Sequence, residues 1–216
     1  YKSLTSDKDA DGIAGSVNLV TKKAPFNREI RATLKGGYND IMESAKQYDF
    51  SLKYGERFFG GLLGIQLNGN IENKIRSNEN IDISYDQAVQ NQTSYYIDNF
   101  TLSFIDEIRK RNGASLIIDL NTPDEGNIKF NGSFNSTKRD YINYDRDYPN
   151  GGGETQYLGG VTYTFRDREQ EIETFNSSVT GNNTLLGIGL NWGVSFAQST
   201  SDYPYDYQLD FSEPSD

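Results

Sequence analysis

The chemistry open to this chain is limited first by what it lacks. With no Cys and no His among 216 residues, disulfides, thiolate and imidazole nucleophiles and nitrogen or sulfur metal ligands are all excluded. Catalysis would have to rest on carboxylates, Lys, Tyr or Ser, and no cluster of these stands out. A glycosidase would need two opposed carboxylates about 5 to 10 Å apart, and the acidic stretches give no reason to expect such a pair. Three groupings remain. Asp7-Lys8-Asp9-Ala10-Asp11-Gly12 matches the start of an EF-hand loop, but the position of the bidentate Glu is Asn18 and no helical pattern flanks it. A turn whose carboxylates accept backbone N–H groups is the expectation there, not a metal site. Gly151-Gly152-Gly153 has no following Lys-Ser/Thr pair and reads as a loop tip rather than a phosphate cradle. The third grouping is Tyr95, Tyr96, Tyr141, Tyr144, Arg146 and Tyr148, which lie in or beside polar stretches and combine aromatic faces with polar groups suited to a glycan or a chelate. No cofactor, metal or catalytic step is expected.

These residues must be positioned by strands. Pro is scarce at 5, Gly is plentiful at 21, and Tyr and Phe number 15 and 12, a mixture that favours strands and tight turns. The hydrophobic period is two. Ile30, Ala32, Leu34, Gly36 and Tyr38 alternate with polar residues, as do Tyr48, Phe50, Leu52 and Tyr54, and then Leu63, Ile65, Leu67, Gly69 and Ile71 beyond a turn near Phe58-Phe59-Gly60. Residues 76–93 are polar and predict a loop. Strand character resumes from Tyr96 to Leu120 with an interruption at the charged stretch Asp106 to Arg111, and Asn121 to Gly126 predicts a turn. After Ile128, Phe130, Gly132 and Phe134, the stretch Lys138 to Glu154 predicts a second polar loop. A long hairpin follows, opening at Val161, Tyr163 and Phe165, turning at Gly181-Asn182-Asn183 and returning through Leu186, Ile188, Leu190, Trp192, Val194 and Phe196.

The formal net charge of -10 argues against nucleic acid or anionic lipid as partner. The mean hydropathy is -0.72, and no run approaches the roughly 18 apolar residues of a membrane helix. A membrane β-barrel escapes that criterion, because each strand shows only alternate residues to lipid and turns the others toward a polar lumen. Short turns alternating with long polar loops, and strands of roughly 9 to 11 residues, fit such a barrel, whereas soluble sandwiches use strands of about 5 to 6. Trp192 and the tyrosines are then expected at the lipid face or the interface belts. A secreted, soluble β-sandwich binding carbohydrate is the alternative, and a carboxylate glycosidase a distant third.

One motif favours the barrel. Asp9-Ala10-Asp11-Gly12-Ile13-Ala14-Gly15-Ser16-Val17-Asn18-Leu19-Val20-Thr21-Lys22 resembles the end of the plug domain of TonB-dependent outer-membrane receptors, in which an acidic, Gly-containing turn precedes a Gly-x-Val-Asn-Leu-x-Thr strand. Ala14 stands where the family commonly has Gly, which narrows the freedom of the turn but keeps the register. Arg111 to Asp119 and Gly181 to Trp192 resemble barrel strands of the same family. The resemblance implies an all-β fold: residues 1–27 as the end of the plug and its linker, with Asp9, Asp11, Gly12, Gly15, Val17 and Asn18 in a structural role, and 28–216 as about seven strands of an antiparallel transmembrane barrel. Such barrels have about 22 strands. It also implies a bacterial outer-membrane location with lipid around the wall, a TonB complex acting through plug residues beyond this chain, and active uptake of a scarce siderophore chelate or oligosaccharide. The chain is expected to be cut at both ends, since Tyr1 is preceded by neither Met nor a signal peptide. Counting crossings from the linker puts the turns near Glu56 and Pro123 in the periplasm and the loops near Arg76 and Lys138 outside.

Overall fold

Alternation of apolar and polar residues commits a backbone to an extended form with two unlike faces, and strands occur wherever the sequence shows it. The computed structural model describes residues 23–87, 93, 95–151, 157–158 and 160–213, so the motif residues Asp9, Asp11, Gly12, Gly15, Val17 and Asn18 lie outside the described residues. The strands are β1 (Glu29–Asn39), β2 (Ser44–Phe58), β3 (Leu63–Ile75), β4 (Asn78–Gln87), β5 (Tyr95–Asn121), β6 (Asn127–Gly151), β7 (Tyr157–Leu158), β8 (Thr162–Leu185) and β9 (Ile188–Ser212). They form one open antiparallel sheet in the order β1-β2-β3-β5-β6-β8-β9. The β4 strand continues the line of β3 along β5, and β7 touches only the end of β6. Where β3 gives way to β4 the ladder is stitched by Ser77, whose hydroxyl donates to Asp106 Oδ1 (2.8 Å) and accepts from Glu107 N (3.1 Å).

Several expectations need correction. Residues 78–87 are a strand, not a loop: Ile81, Ile83 and Tyr85 alternate, and their backbone pairs with β5. The charged stretch Asp106–Arg111 does not interrupt β5, because its charges are matched across the strand by Arg139 and Glu72. Lys138–Gly151 also continues as strand in β6, and of that expected loop only 152–154 lie outside the described residues. Polar side chains do not oppose a strand whose two faces both meet water, because cross-strand pairs and backbone hydrogen bonds hold it. Finally, the β8–β9 turn is Leu186-Gly187, not Gly181-Asn182-Asn183. Both turn residues have positive φ, 52° and 80°, the two-residue hairpin geometry whose twist matches its strands.

The apolar positions named above, even-numbered in β1 and β9 and odd-numbered in β3, share one face. Cross-strand register extends it through Leu116 and Ile118 of β5, Phe130 and Phe134 of β6, and Phe175 and Val179 of β8. This apolar face is open: Leu34 is 76% exposed, Val194 72% and Ile188 71%. Among the described residues each strand contacts its hydrogen-bonded neighbours, none forms a second layer over the apolar rows, and only Ala24 and Ile75 are buried apolar side chains. The apolar stretch is also staggered. It centres on Leu34 in β1, Leu67 in β3 and Trp192 in β9, yet the row through Leu34 crosses β3 at Ile71 and the row through Trp192 crosses it at Leu63.

Candidate functional site

The segment before β1 lies on the polar face, at the end of the sheet that carries the β2–β3, β5–β6 and β8–β9 connections. Ala24 N donates to Asp119 Oδ2 (3.1 Å), Arg57 Nε donates to Ala24 O (3.0 Å) and Arg57 Nη1 to Gly61 O (2.7 Å). Arg57 and Asp119 form an ion pair in which both side chains are only 3% exposed. Phe26 lies under the Arg57 guanidinium, 5.7 Å from ring centroid to Cζ. A glycine is required at position 64, where any Cβ would strike the Asp119 carboxylate and Ala24. The chain therefore enters β1 clamped to the polar side, with Ala24 4% exposed.

Cross-strand register divides the six residues expected to bind ligand between the two faces. Tyr144, Arg146 and Tyr148 project from the apolar face far beyond its first apolar band. Tyr144 packs 5.3 Å from Phe165 and 6.1 Å from Phe104, Tyr148 packs 5.8 Å from Phe100, and the Arg146 guanidinium sits 4.8 Å over Tyr163. Phe104, Tyr144, Tyr163 and Phe165, with Arg146, Ile81, Leu102 and Phe211, line a groove of about 920 Å³, which Tyr148 and Phe100 do not line. Tyr95 falls on this side too, its hydroxyl accepting from Gln87 Nε2 (3.0 Å). A bulge at Asp98 turns Tyr96 to the polar face, where it donates to Asp86 (3.3 Å). Tyr141 is also on the polar face. The six are thus not brought together.

The polar face gathers around Tyr141 a set of residues that the sequence reading passed over. Glu72 pairs with Lys74 and Arg111, Glu107 with Arg109 and Arg139, and Asp206 with Arg166 and Arg168, so each of three carboxylates bridges two cations. Arg139 grips both oxygens of Glu107 (3.1 Å each), and Arg166 both oxygens of Asp206 (2.8 Å each). Arg139 lies 5.4 Å over Tyr141 and Arg168 4.0 Å over Tyr203, while Arg168 Nη1 donates to the Tyr141 hydroxyl (3.2 Å). This belt lies beyond the first apolar band of the opposite face. Burial alone would push the Glu107 carboxyl up, but the Arg139 and Arg109 hydrogen bonds outweigh it and hold the group below the usual carboxylate range. Hydrogen bonds from Arg166 do the same for Asp206.

Charge is sorted by face at this height. On the far side, Lys110 and Lys138 are outnumbered by Asp106, Asp140, Asp167, Glu169 and Glu171, whereas the belt carries six cations around three acids. The signal for the belt was the spacing of two within Glu72/Lys74, Glu107/Arg109/Arg111 and Arg166/Arg168, which keeps charges on one face of a strand. Groups of three or more acidic residues able to hold a metal ion are absent among the described residues. The belt presents paired guanidinium groups and aromatic rings, a combination able to hold an anionic ligand. No protein-family model, curated protein or solved structure matches the chain.

Proposed function

We propose that this chain belongs to a TonB-dependent outer-membrane receptor that takes up a scarce ligand by active transport. Residues 1–27 are the end of its plug and 28–216 the first part of its barrel wall. One observation carries the reading: the exposed apolar band is about nine residues deep on each of β1, β3 and β9 and shifts in one direction across the sheet. Between β1 and β9 its centre moves from the row of Ile71 to that of Leu63, in six strand-to-strand steps. At about 3.3 Å per residue and 4.8 Å between strands, a level band needs strands inclined by about 40°. Transmembrane barrels incline theirs by roughly 35 to 45° and cross the bilayer in about 9 to 11 residues. A soluble sandwich needs a second layer on these rows, and no described residue supplies one.

Two further features support the reading. The connections Phe59–Leu62, Thr122–Gly126 and Leu186-Gly187 share one end of the sheet and suit a periplasmic rim, while β5, β6, β8 and β9 run far past the band at the other end. The linker enters β1 clamped on the polar face at that same rim, as a chain leaving a lumenal plug must. Uptake in this scheme breaks no bond. Ligand binds above the membrane on lumen-facing residues, and force applied to the plug through TonB opens the way inward, with the Arg57–Asp119 clamp anchoring the linker to the wall.

The absence of cysteine makes the location directly testable. Single cysteines placed from 190 to 196 in the full-length receptor, expressed in a Gram-negative host, should react with water-soluble maleimide at Asn191, Gly193 and Ser195. At Leu190, Trp192, Val194 and Phe196 they should instead be shielded until the membrane is dissolved. Equal labelling on both faces would refute the transmembrane reading. Deleting TonB should leave surface binding intact and abolish accumulation of the bound compound; accumulation that survives the deletion would remove the energised step.

A further inference from the structure

Lys74, Arg109 and Arg139 stand directly opposite one another in a single cross-strand row of the polar face. Like charges in that relation destabilise a sheet. A ladder built only to hold strands together would match each cation with its own acid. Here Glu72, Glu107 and Asp206 each serve two cations, leaving three positive charges in excess on a chain whose formal net charge is -10. The acids that could have balanced them lie on the other face of the same strands. Farther out, Asp145 and Asp210 return acid to the polar face, and between the belt and the turns the rows of β3, β5, β6, β8 and β9 are mainly Asn, Ser and Thr, with Lys129 opposite Asp119; on β1 and β2 a smaller basic pair, Arg31 opposite Lys53, lies outside the belt. Within the belt, Tyr141 and Tyr203 present ring faces held by Arg139 and Arg168.

Resting on the receptor reading, in which the polar face lines the lumen, we infer that the transported ligand is an acidic oligosaccharide, its carboxylate or sulfate groups bound along this belt. Guanidinium forks match the paired oxygens of such groups, and aromatic rings suit the apolar faces of sugars. From Lys74 in β3 to Asp206 in β9 the belt crosses four strand spacings, about 19 Å, the span of about four sugar units. A compact chelate with one or two charges would engage only part of it.

The test measures binding of carboxymethyl-dextran, with uncharged dextran as comparison, to the purified full-length receptor in detergent. Carboxymethyl-dextran should bind and weaken steeply with salt, and dextran should not bind. Arg139→Gln with Arg168→Gln should weaken binding at least tenfold, whereas Arg139→Lys with Arg168→Lys should keep most of it, which separates lost charge from lost fold. The same charge change on the other face, Lys110→Gln with Lys138→Gln, should have no effect. Equal binding of the two dextrans, binding of neither, or equal loss from both faces would overturn the inference. Because no membrane or TonB enters this measurement, a belt that binds in a protein found outside the membrane would refute the transport reading alone. A receptor confirmed in the membrane but indifferent to ligand charge would refute the belt alone.

Discussion

Leu34→Arg separates a lipid-facing row from a water-facing one by its energetic cost. Leu34 lies at the centre of the band on β1 and is 76% exposed, so its replacement removes little packing within the protein. If the row met water, the change would fall within about 0.5 kcal/mol of neutral, as at most exposed sites. If it meets hydrocarbon at mid-depth, an arginine costs about 2 to 4 kcal/mol, falling to about 0 to 1 near an interface. The sheet supplies its own controls. Tyr38, 61% exposed at the band's outer edge, should cost little when changed to Arg, and Ile81, 60% exposed in the second apolar band, should cost nothing measurable. The assay is denaturant unfolding of full-length receptor refolded into lipid vesicles, followed by fluorescence. A difference of about 3 kcal/mol between Leu34→Arg and Ile81→Arg is over a hundredfold in the unfolding equilibrium. Equal effects at the two sites would show that both bands meet the same solvent, and the tilt argument would fail with them.

Asp119→Asn should release the linker: Arg57 would be left buried without its charge partner, a loss of about 3 to 5 kcal/mol, read as faster tryptic cleavage after Lys23. Replacing both, Arg57→Met with Asp119→Leu, should recover much of it. Asp124, in the turn outside the strands, is held down to about 2, first by the Thr122 hydroxyl and then by the Thr184 amide. Its folded pKa is depressed, so its contribution is complete above the ordinary value near 4 and is lost as pH falls toward 2. Hydrogen exchange at Thr184 should therefore accelerate, relative to its intrinsic rate, over that window in wild type but show no such step in Asp124→Asn. Leu186→Asn should stabilise the β8–β9 hairpin by about 1 kcal/mol, since Leu186 has a φ of 52° and is 94% exposed, whereas Asn tolerates that region; an unchanged denaturation midpoint would contradict this.

How much of this was legible in the sequence depended on what each residue faces. In the first band the two faces differ in composition, one apolar and one polar, so Leu186 to Phe196 and Leu63 to Ile71 announce their strands through period two alone. At the height of the belt both faces are polar, and the signal moves to charge. Glu107, Arg109 and Arg111 read as an interruption because charge was taken as the opposite of strand, yet their spacing of two is the same period written in another alphabet. The hairpin end went astray for a different reason: Asn182 and Asn183 are turn-forming by type, but the Leu186-Gly187 turn sets Val194 opposite Val179 and lays the Trp192 ring over Gly181, which keeps the apolar positions of β9 on the apolar face. The tyrosines show the limit of composition. Tyr141 and Tyr144 are three apart, an odd number, so one strand sends them to opposite faces, and no count of aromatic residues could have placed both in one site. Parity along each strand, carried across the sheet by register, is what assigns a residue to the apolar or the polar face, and it assigns Tyr141, Arg139 and Arg168 all three to the polar one.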